Sequence, residues 1–305
     1  MLEKNQKCLI VILGPTASGK TDLSIQIAKK IKSHIISADS RQFFKELDIG
    51  TAKPTNIQMK KVKHYCINNL SIKQSYNAGM FEVDVMKLLK KLFVNTEFVI
   101  MVGGSGLYID AVCKGLDVFP KVPVIVRNRL ISEYKKRGLN VLLKELKRKD
   151  EEYFCIVDHN NHQRIIRALE VIRFSGKKFS NYMGKSNIKR EFKIIKIGID
   201  IDKNKLNELI DKRVNYMINK GLFLEVKALI NYRNKNALQT VGYKEIFKYY
   251  DNKISKIEAI NKIKINTKKY AKRQLTWFKK DKKIKWLNPN VNEIIDYINK
   301  TISNY

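Results

Sequence analysis

The feature that most constrains the fold is a segment near the N-terminus, GPTASGKT at residues 14–21. It fits the pattern G-x-x-x-x-G-K-[ST] at every fixed position, between an apolar run typical of a buried strand (8–13) and a stretch with helical periodicity (21–32). In that context backbone N–H groups and the helix N-terminus face phosphate oxygens. The pattern therefore predicts a diphosphate- or triphosphate-binding loop formed by Gly14, Pro15, Thr16, Ala17, Ser18, Gly19, Lys20 and Thr21.

Two side chains of this loop have distinct predicted tasks. Lys20 brings a mobile positive charge to the phosphates, and the Thr21 hydroxyl is a ligand for a phosphate-bound Mg²⁺. The motif occurs in ATP-binding proteins, but by itself it does not distinguish ATP from another diphosphate. A nucleotide hydrolase usually has an acidic residue ending a neighbouring strand, where it holds Mg²⁺. Here the apolar run at 97–102 ends in Gly103-Gly104-Ser105, which disfavours a motor protein or GTPase.

The remaining apolar patterns indicate the fold class. Short apolar runs at 34–38 and 97–102 alternate with helical patterns such as 81–93. This alternation predicts an α/β fold, with the P-loop on a parallel sheet core and helices on both faces. From 121 to 190 the patterns are helical, without a convincing strand. We therefore expect the core in two parts, 1–120 and 191–305, with a helical insertion domain at 121–190.

The second part of the core is expected to be mainly helical and basic. A strand at 192–201 precedes helices at about 203–232, 242–250 and 255–280, then a strand at 284–287 and a terminal helix from 291. Residues 261–285 contain 11 Lys and Arg and one acid, with Tyr270, Trp277 and Phe278 interleaved. This pattern is typical of an RNA-binding helix, in which Trp277 and Phe278 either stack on bases or pack on the core.

The net charge of +32, from 61 basic and 29 acidic residues, indicates a polyanionic partner. The insertion contributes to it, with 18 Lys and Arg against 7 Asp and Glu at 121–190. A competing explanation is composition bias, because the chain is rich in Lys, Asn and Ile together. No apolar run approaches the length of a membrane helix and the start lacks a signal-peptide pattern, so we expect a cytoplasmic protein with no membrane contact and four reduced cysteines.

An acidic residue, Asp39, follows the predicted strand at 34–38. The carboxyl ends of parallel strands line one crevice, so this carboxylate is expected to point toward the phosphate loop. There it can serve as a general base or hold a metal ion. The alternative is that Asp39 caps the N-terminus of a helix.

Seven segments occur together in this chain: GPTASGKT at 14–21, SADSRQ at 37–42, DIGTAKP at 48–54, VGGSGLY at 102–108, QRIIRALEV at 163–171, QTVGYKE at 239–245 and YAKRQLTWF at 270–278. Together, and in this order, they resemble the tRNA dimethylallyltransferase (tRNA isopentenyltransferase) family in its bacterial form. The first segment is shared by many unrelated enzymes, whereas its combination with YAKRQLTWF is highly specific. The set spans nearly the whole chain.

The resemblance implies a reaction and roles for the matching residues. The family transfers a dimethylallyl group from dimethylallyl diphosphate to N6 of adenosine 37, beside the tRNA anticodon. Ser18, Lys20 and Thr21 would hold the diphosphate and its Mg²⁺, Asp39 would be the base, and Arg213 would contact the leaving diphosphate. Ser105 stands where the family commonly has threonine, so a hydroxyl is retained near the reacting groups. The implied contacts to the tRNA anticodon stem-loop are Asp39, Ser40, Arg41, Gln42, Ser105, Arg127, Gln163, Arg164, Ile165, Ile166, Arg167, Lys272, Arg273 and Gln274.

Two other functions are compatible with parts of the sequence. A P-loop kinase of a nucleotide or small metabolite would use the same loop, but it has no need for the QTVGYKE and YAKRQLTWF segments. A non-catalytic RNA-binding protein explains the charge but not the phosphate loop. We expect the protein to be a monomer.

Overall fold

Six parallel strands form one sheet in the computed structural model, which describes residues 7–184 and 188–303. Their order across the sheet is β3-β2-β4-β1-β5-β6. The predicted α/β fold, with helices around a parallel sheet, is confirmed. The strands are β1 (Cys8–Leu13), β2 (His34–Ser37), β3 (His64–Tyr65), β4 (Phe98–Gly103), β5 (Lys193–Ile199) and β6 (Lys285–Leu287).

The helices cover both faces of this sheet and form the segment between β4 and β5. They are α1 (Lys20–Lys30), α2 (Asn56–Lys61), α3 (Ala78–Asn95), α4 (Gly106–Lys114), α5 (Val124–Arg137), α6 (Leu139–Lys149), α7 (Glu151–Ile156), α8 (His162–Ser175), α9 (Lys203–Asn219), α10 (Leu222–Ala228), α11 (Tyr243–Tyr250), α12 (Lys256–Phe278) and α13 (Val291–Ser303). None of the helices in the described part of the chain is both long and apolar enough to cross a membrane.

Strand β1 shows how the sheet is buried on both sides. Its odd-numbered side chains, from Leu9 to Leu13, pack with residues of α3 and α9 to α12. Its even-numbered side chains, from Cys8 to Ile12, pack with residues of α1 and α13. Successive side chains of a strand point to opposite faces, so a strand covered on both sides is apolar throughout. This is why β1 is a continuous apolar run in the sequence.

Helices α5 to α8 belong to a second compact unit, residues 114–189, while residues 1–113 and 190–305 form the unit that contains the sheet. The second unit has its own apolar cluster, which includes Leu130, Leu142 and Leu169. It begins seven residues before the expected position 121, because Phe119 packs within it and stacks on Phe179 with ring centroids 4.6 Å apart.

The sequence patterns missed short elements and one break. Strand β3 has two residues, and α2 and α7 have six each, which is too short for a periodic pattern. The expected helix at 203–232 is interrupted after α9. There Gly221 adopts a left-handed backbone with a φ of 96°, and a new helix, α10, begins at the next residue. Glycine adopts this conformation without the steric penalty of a Cβ atom.

Candidate functional site

The phosphate loop connects the end of β1 to the start of α1. Its backbone turns at Ala17 and Gly19, whose φ angles of 66° and 76° lie in the left-handed region. Ser18 is buried, and its Oγ accepts a hydrogen bond from Lys20 Nζ at 3.2 Å. Lys20 Nζ also donates to the carbonyl oxygen of Pro15. The loop therefore holds a cation directly against its own backbone.

The electrostatics of this loop favour a bound anion. The pKa of Lys20 is lowered to about 7, chiefly by burial and next by the positive charge of Arg213, while the carboxylate of Asp39 opposes the shift. Burial likewise lowers the pKa of Arg213, and Asp39 again opposes it. Two cations thus share a poorly solvated crevice with one carboxylate. A polyanion bound between them would stabilise both charged forms.

Two predicted residues follow strands adjacent to the phosphate loop. Because β2, β4 and β1 are neighbours, the loops after their carboxyl ends meet at one edge of the sheet. Asp39 follows β2, and its Oδ1 accepts the backbone N–H of Arg41 at 2.9 Å, which closes a turn rather than capping a helix. Ser105 follows β4. Its Oγ accepts the backbone N–H of Ser40 at 2.9 Å, and its hydroxyl lies near the phenol of Tyr270.

Arg213 reaches the same crevice from α9, and its Nη2 donates to the carbonyl oxygen of Thr51 at 3.5 Å. Thr51 ends a turn whose three backbone N–H groups at 48–50 donate to the Glu225 carboxylate at 2.7–3.1 Å. The Tyr243 hydroxyl donates to the same carboxylate at 2.6 Å. Glu225 therefore ties the DIGTAKP turn to α10 and α11. Sequence reasoning missed it, because a contact between residues so far apart in the chain leaves no local signal.

Two cavities, of about 480 and 70 Å³, lie in this crevice. The smaller cavity is lined by Lys20 and Thr21 of the phosphate loop. The larger is lined by Arg41, Lys244 and Arg273, all cationic. The residues that line both cavities are Thr16, Asp39, Arg213 and Tyr270. A carboxylate and a guanidinium thus border both the phosphate-loop side and the wider basic side of the crevice.

Residues 40–42 differ in what they face. Arg41 lines the larger cavity, and its guanidinium donates to the carbonyl oxygen of Asn236 at 3.0 Å. Gln42 is buried, and its side chain accepts from the Ser37 hydroxyl at 3.0 Å and donates to the Thr51 carbonyl at 3.2 Å. Its amide groups are thus engaged within the fold, whereas Ser40 and Arg41 are half-buried and line the larger cavity.

The three consecutive residues of α12 that are expected to contact RNA differ in their exposure to solvent. Lys272 and Arg273 are exposed, whereas Gln274 is only 6% exposed. The Gln274 amide accepts the N–H of Thr16 and donates to the carbonyl oxygen of Gly104, both at 2.8 Å. The side chain of Gln274 therefore points inward, to the wall of the smaller cavity, rather than to the exposed surface of α12.

The aromatic residues at the end of α12 also face inward. Trp277 Nε1 donates to Asp110 at 2.8 Å, and its ring lies where a side chain at Gly106 would clash with it. Phe278 is 3% exposed and belongs to the large apolar cluster. Of the two alternatives left open for these rings, the structure favours packing on the core.

In the insertion, the expected contact stretch 163–167 has two sides. Gln163 and Arg164 are exposed at the start of α8. Ile165 and Ile166 are at most 1% exposed and pack in the insertion's apolar cluster, so their side chains are not available to a nucleic acid. The predicted RNA contacts of this stretch are therefore limited to its polar side chains, those of Gln163, Arg164 and Arg167.

Two arginines of the insertion share one buried carboxylate. Arg127 donates to Glu170 at 2.8 Å and to the side-chain oxygen of Gln163 at 2.9 Å. Arg167 donates to the other oxygen of Glu170 at 2.5 Å. Glu170 is 4% exposed, whereas both arginine side chains remain partly open to solvent. The buried carboxylate therefore holds the two guanidinium groups in place at the surface of the insertion. Sequence reasoning missed Glu170, although its spacing three residues after Arg167 on a helix signals such a pair.

The smaller cavity offers oxygen ligands to a hard cation. The Thr21 hydroxyl and the Asp39 carboxylate line it, and Mg²⁺ prefers such oxygen donors. His64 also lines it. Its Nδ1 bonds the Val62 carbonyl at 2.8 Å, and its buried Nε2 has no hydrogen-bond partner among the described residues. Such an acceptor fits a metal-bound water. Within residues 7–184 and 188–303, no three His, Cys, Asp or Glu side chains form a group that could hold a metal ion.

Comparison with known proteins identifies relatives of this chain. A family model described as IPP transferase matches residues 42–281. A tRNA dimethylallyltransferase of Christiangramia forsetii is 46% identical over 297 residues, covering 97% of this chain and 98% of that protein. A tRNA dimethylallyltransferase 2 of Parabacteroides distasonis is 45% identical over 289 residues, covering 94% and 96%.

Solved structures agree with these relatives. The crystal structure of a full-length tRNA isopentenylpyrophosphate transferase from Bacillus halodurans is similar with a TM-score of 0.73, at 30% identity and 98% coverage of both chains. A eukaryotic dimethylallyltransferase acting on tRNA has a TM-score of 0.80 at 25% identity, with 98% of this chain and 80% of that chain covered. The similarity therefore extends over nearly the whole of this chain.

Proposed function

The chain belongs to the IPP transferase family, and on that premise we propose that it transfers a dimethylallyl group from dimethylallyl diphosphate to N6 of adenosine 37 in tRNA. The allylic C–O bond of the donor breaks and a C–N bond to the adenine forms. Diphosphate leaves, and N6 loses one proton. The products are N6-(dimethylallyl)adenosine and diphosphate.

The observation that carries this proposal is the arrangement of the two cavities. A transfer reaction needs a donor site and an acceptor site that meet at the reacting atoms. The smaller cavity, beside Lys20 and Thr21, suits the diphosphate of the donor. The larger cavity, with Arg41 and Arg273, suits a nucleotide with its negative backbone. Asp39 borders both cavities, which supports its proposed role as the base for N6.

The main chemical demand is to stabilise the leaving diphosphate. The adenine amine is a poor nucleophile because its lone pair is conjugated into the ring, whereas the allylic carbon can carry developing positive charge. Lys20 and Arg213, which line the smaller cavity, are proposed to receive the negative charge of the diphosphate together with loop amides, and each such contact is worth roughly 2–4 kcal/mol. Bound Mg²⁺, held by the Thr21 hydroxyl and the phosphates, would neutralise further charge on the leaving group.

Asp39 is proposed to accept the N6 proton as the new bond forms. Its Oδ1 is engaged with the backbone N–H of Arg41, which fixes the carboxylate against the turn after β2. The Ser105 hydroxyl accepts the N–H of Ser40, the residue after Asp39, and so lies beside the turn that carries this carboxylate. General-base assistance of this kind contributes on the order of 10²–10⁴-fold.

The RNA is proposed to bind through side chains on both units. The target base must leave its stacked position to reach the crevice, at a cost of a few kcal/mol. Backbone contacts compensate for that cost, and the exposed Lys272 and Arg273 of α12 suit them. In the insertion, Gln163 and Arg164 are exposed, and Arg127 and Arg167 are preoriented by Glu170. We propose the whole insertion, with its basic helices, as a tRNA-contacting domain and a single chain as the active unit.

The test is a direct transfer assay. The protein is incubated with Mg²⁺, dimethylallyl diphosphate labelled in the prenyl group and unmodified tRNA, and in parallel with ATP and candidate small acceptors. Label in tRNA, mapped to N6 of adenosine 37 after nuclease digestion, is the expected result. Phosphoryl transfer from ATP without prenylation would instead identify a kinase. Tight RNA binding with neither reaction would identify a non-catalytic RNA-binding protein.

A further inference from the structure

We propose that Gln274 is a positioning residue for the donor side of the site and that it does not contact RNA. Its amide holds the phosphate loop and the loop after β4 in a single arrangement. The inference rests on the proposed function, because it specifies how that same site is assembled. It reassigns one residue of a stretch that resembles an RNA-contacting segment.

The amide of Gln274 joins two loops that are distant from it in the chain. Its Oε1 accepts the backbone N–H of Thr16 in the phosphate loop at 2.8 Å. Its Nε2 donates to the carbonyl oxygen of Gly104 at 2.8 Å. Each end of the amide thus has a complementary partner, so only an amide in this orientation satisfies both loops. Without it, the partly buried N–H of Thr16 and the buried carbonyl of Gly104 would each lose a partner.

Gly104 shows how closely the amide fits. A Cβ atom at this position would lie 2.1 Å from Gln274 Nε2, a distance that real contacts do not reach. The backbone after β4 therefore approaches the amide as closely as a glycine allows. Gln274 and Gly104 both line the smaller cavity with Lys20 and Thr21, so a shift of the amide would change the shape of the diphosphate side.

The inward face of α12 is continuous on both sides of Gln274. Tyr270, Gln274 and Trp277, spaced by four and three residues, lie on one face of the helix. Tyr270 lies near Ser105, the Gln274 amide donates to the carbonyl oxygen of Gly104, and Trp277 lies against Gly106. This face of α12 therefore packs along the loop after β4, and each of its three side chains meets a different residue of that loop. Lys272 and Arg273, which lie between Tyr270 and Gln274 in sequence, are exposed, and Arg273 lines the larger cavity.

The Gln274 amide also fixes the direction in which one N–H of the phosphate loop points, that of Thr16. The N–H of Thr16 is engaged with Gln274 and so is not available to a phosphate oxygen. The anion must be held by the other groups of the loop, and their orientation depends on where Thr16 is fixed. Loss of the amide is therefore expected to weaken diphosphate binding and to slow the chemical step, while the exposed face of α12 stays unchanged.

The experiment compares Gln274→Met with Arg273→Met. Methionine keeps the length and volume of glutamine and removes both hydrogen bonds, and the neighbouring exposed arginine is the matched control. We measure the KM for dimethylallyl diphosphate, the single-turnover rate, the Kd for an anticodon stem-loop without donor, and the Kd for Mg²⁺-pyrophosphate by calorimetry. For Gln274→Met we expect about a tenfold or larger loss on the donor side and less than a twofold change in stem-loop Kd. Arg273→Met should show the opposite pattern, with a modest rise in stem-loop Kd and less than a twofold change on the donor side.

The contrary result is a Gln274→Met protein that loses stem-loop affinity as Arg273→Met does and keeps its donor KM and pyrophosphate Kd. Gln274 would then be an RNA contact. Wild-type behaviour in all four measurements would equally overturn the proposal. Should Gln274→Met fail to fold, Gly104→Ala displaces the same amide by crowding Nε2 and is expected to give the same donor-side losses. If the wild type binds pyrophosphate but transfers no prenyl group, the proposed function fails while the calorimetry still tests Gln274.

Discussion

The phosphate loop and helix α12 both supply residues to the crevice, but they differ in how sequence relates to position. In the loop, Thr16, Lys20 and Thr21 line one small cavity, because the backbone between them turns at Ala17 and Gly19. In α12, three consecutive residues divide between solvent and core, since each step along a helix rotates the side chain by about 100°. A motif on a turn therefore identifies a site as a unit. A motif on a helix must be divided by face before roles are assigned.

The largest effect is predicted for Asp39, which follows β2 and borders both cavities. Asp39→Asn keeps an oxygen that can accept the Arg41 N–H, so the turn is preserved, but the amide cannot take up the N6 proton. We expect the single-turnover rate to fall on the order of 10²–10⁴-fold, with stem-loop Kd nearly unchanged. Rapid-quench measurement with saturating donor and RNA tests this. A near-normal rate in Asp39→Asn and Asp39→Ala would remove Asp39 from the proton transfer.

Lys20 gives the next largest predicted effect. Lys20→Met removes a cation that lies against the loop, and we expect kcat/KM to fall about 10²- to 10³-fold with RNA binding retained. Steady-state kinetics and filter binding measure the two effects. Lys29→Met, an exposed change at the far end of α1, is the control and should leave both values unchanged. Equal losses of RNA affinity and donor use in Lys20→Met would show that the loop side and the RNA side are not separate.

The lowered pKa of Lys20 predicts how donor affinity depends on pH. The free lysine, with a pKa of about 7, is charged below that pH, and a bound diphosphate favours the charged form. Donor KM should therefore be lowest below about pH 7 and should rise above it, by up to tenfold per pH unit, until the pKa of the complex is reached. Lys20→Met lacks this group. Its profile, which retains the ionisation of the diphosphate itself, supplies the reference, and parallel profiles would contradict the assignment.

The same contrast explains which features could be predicted from sequence. The sheet, the phosphate loop and the position of Asp39 follow from local patterns, because strand burial and loop geometry depend on neighbouring residues. Glu225 holds a turn 175 residues away, and Gln274 reaches Thr16 across 258 residues, so their partners exist only after folding. Ile165 and Ile166 show that a local sequence match can also mislead. They match a contact stretch in sequence, but helical rotation carries their side chains into the insertion's core.

The exposed face of α12 predicts the smallest effects, and they should depend on salt. Lys272→Met and Arg273→Met each remove one charge that can neutralise a phosphate, so stem-loop Kd should rise modestly and the slope of log Kd against log salt should fall by about one per residue. Donor KM should not change, because neither side chain bonds the phosphate loop. A titration from low to high salt separates this electrostatic loss from a structural one, since a structural defect would lower affinity without changing the slope. A slope equal to that of the wild type in the double variant would mean that this face of α12 does not meet the RNA backbone, and the basic residues of the insertion would then be the next to test.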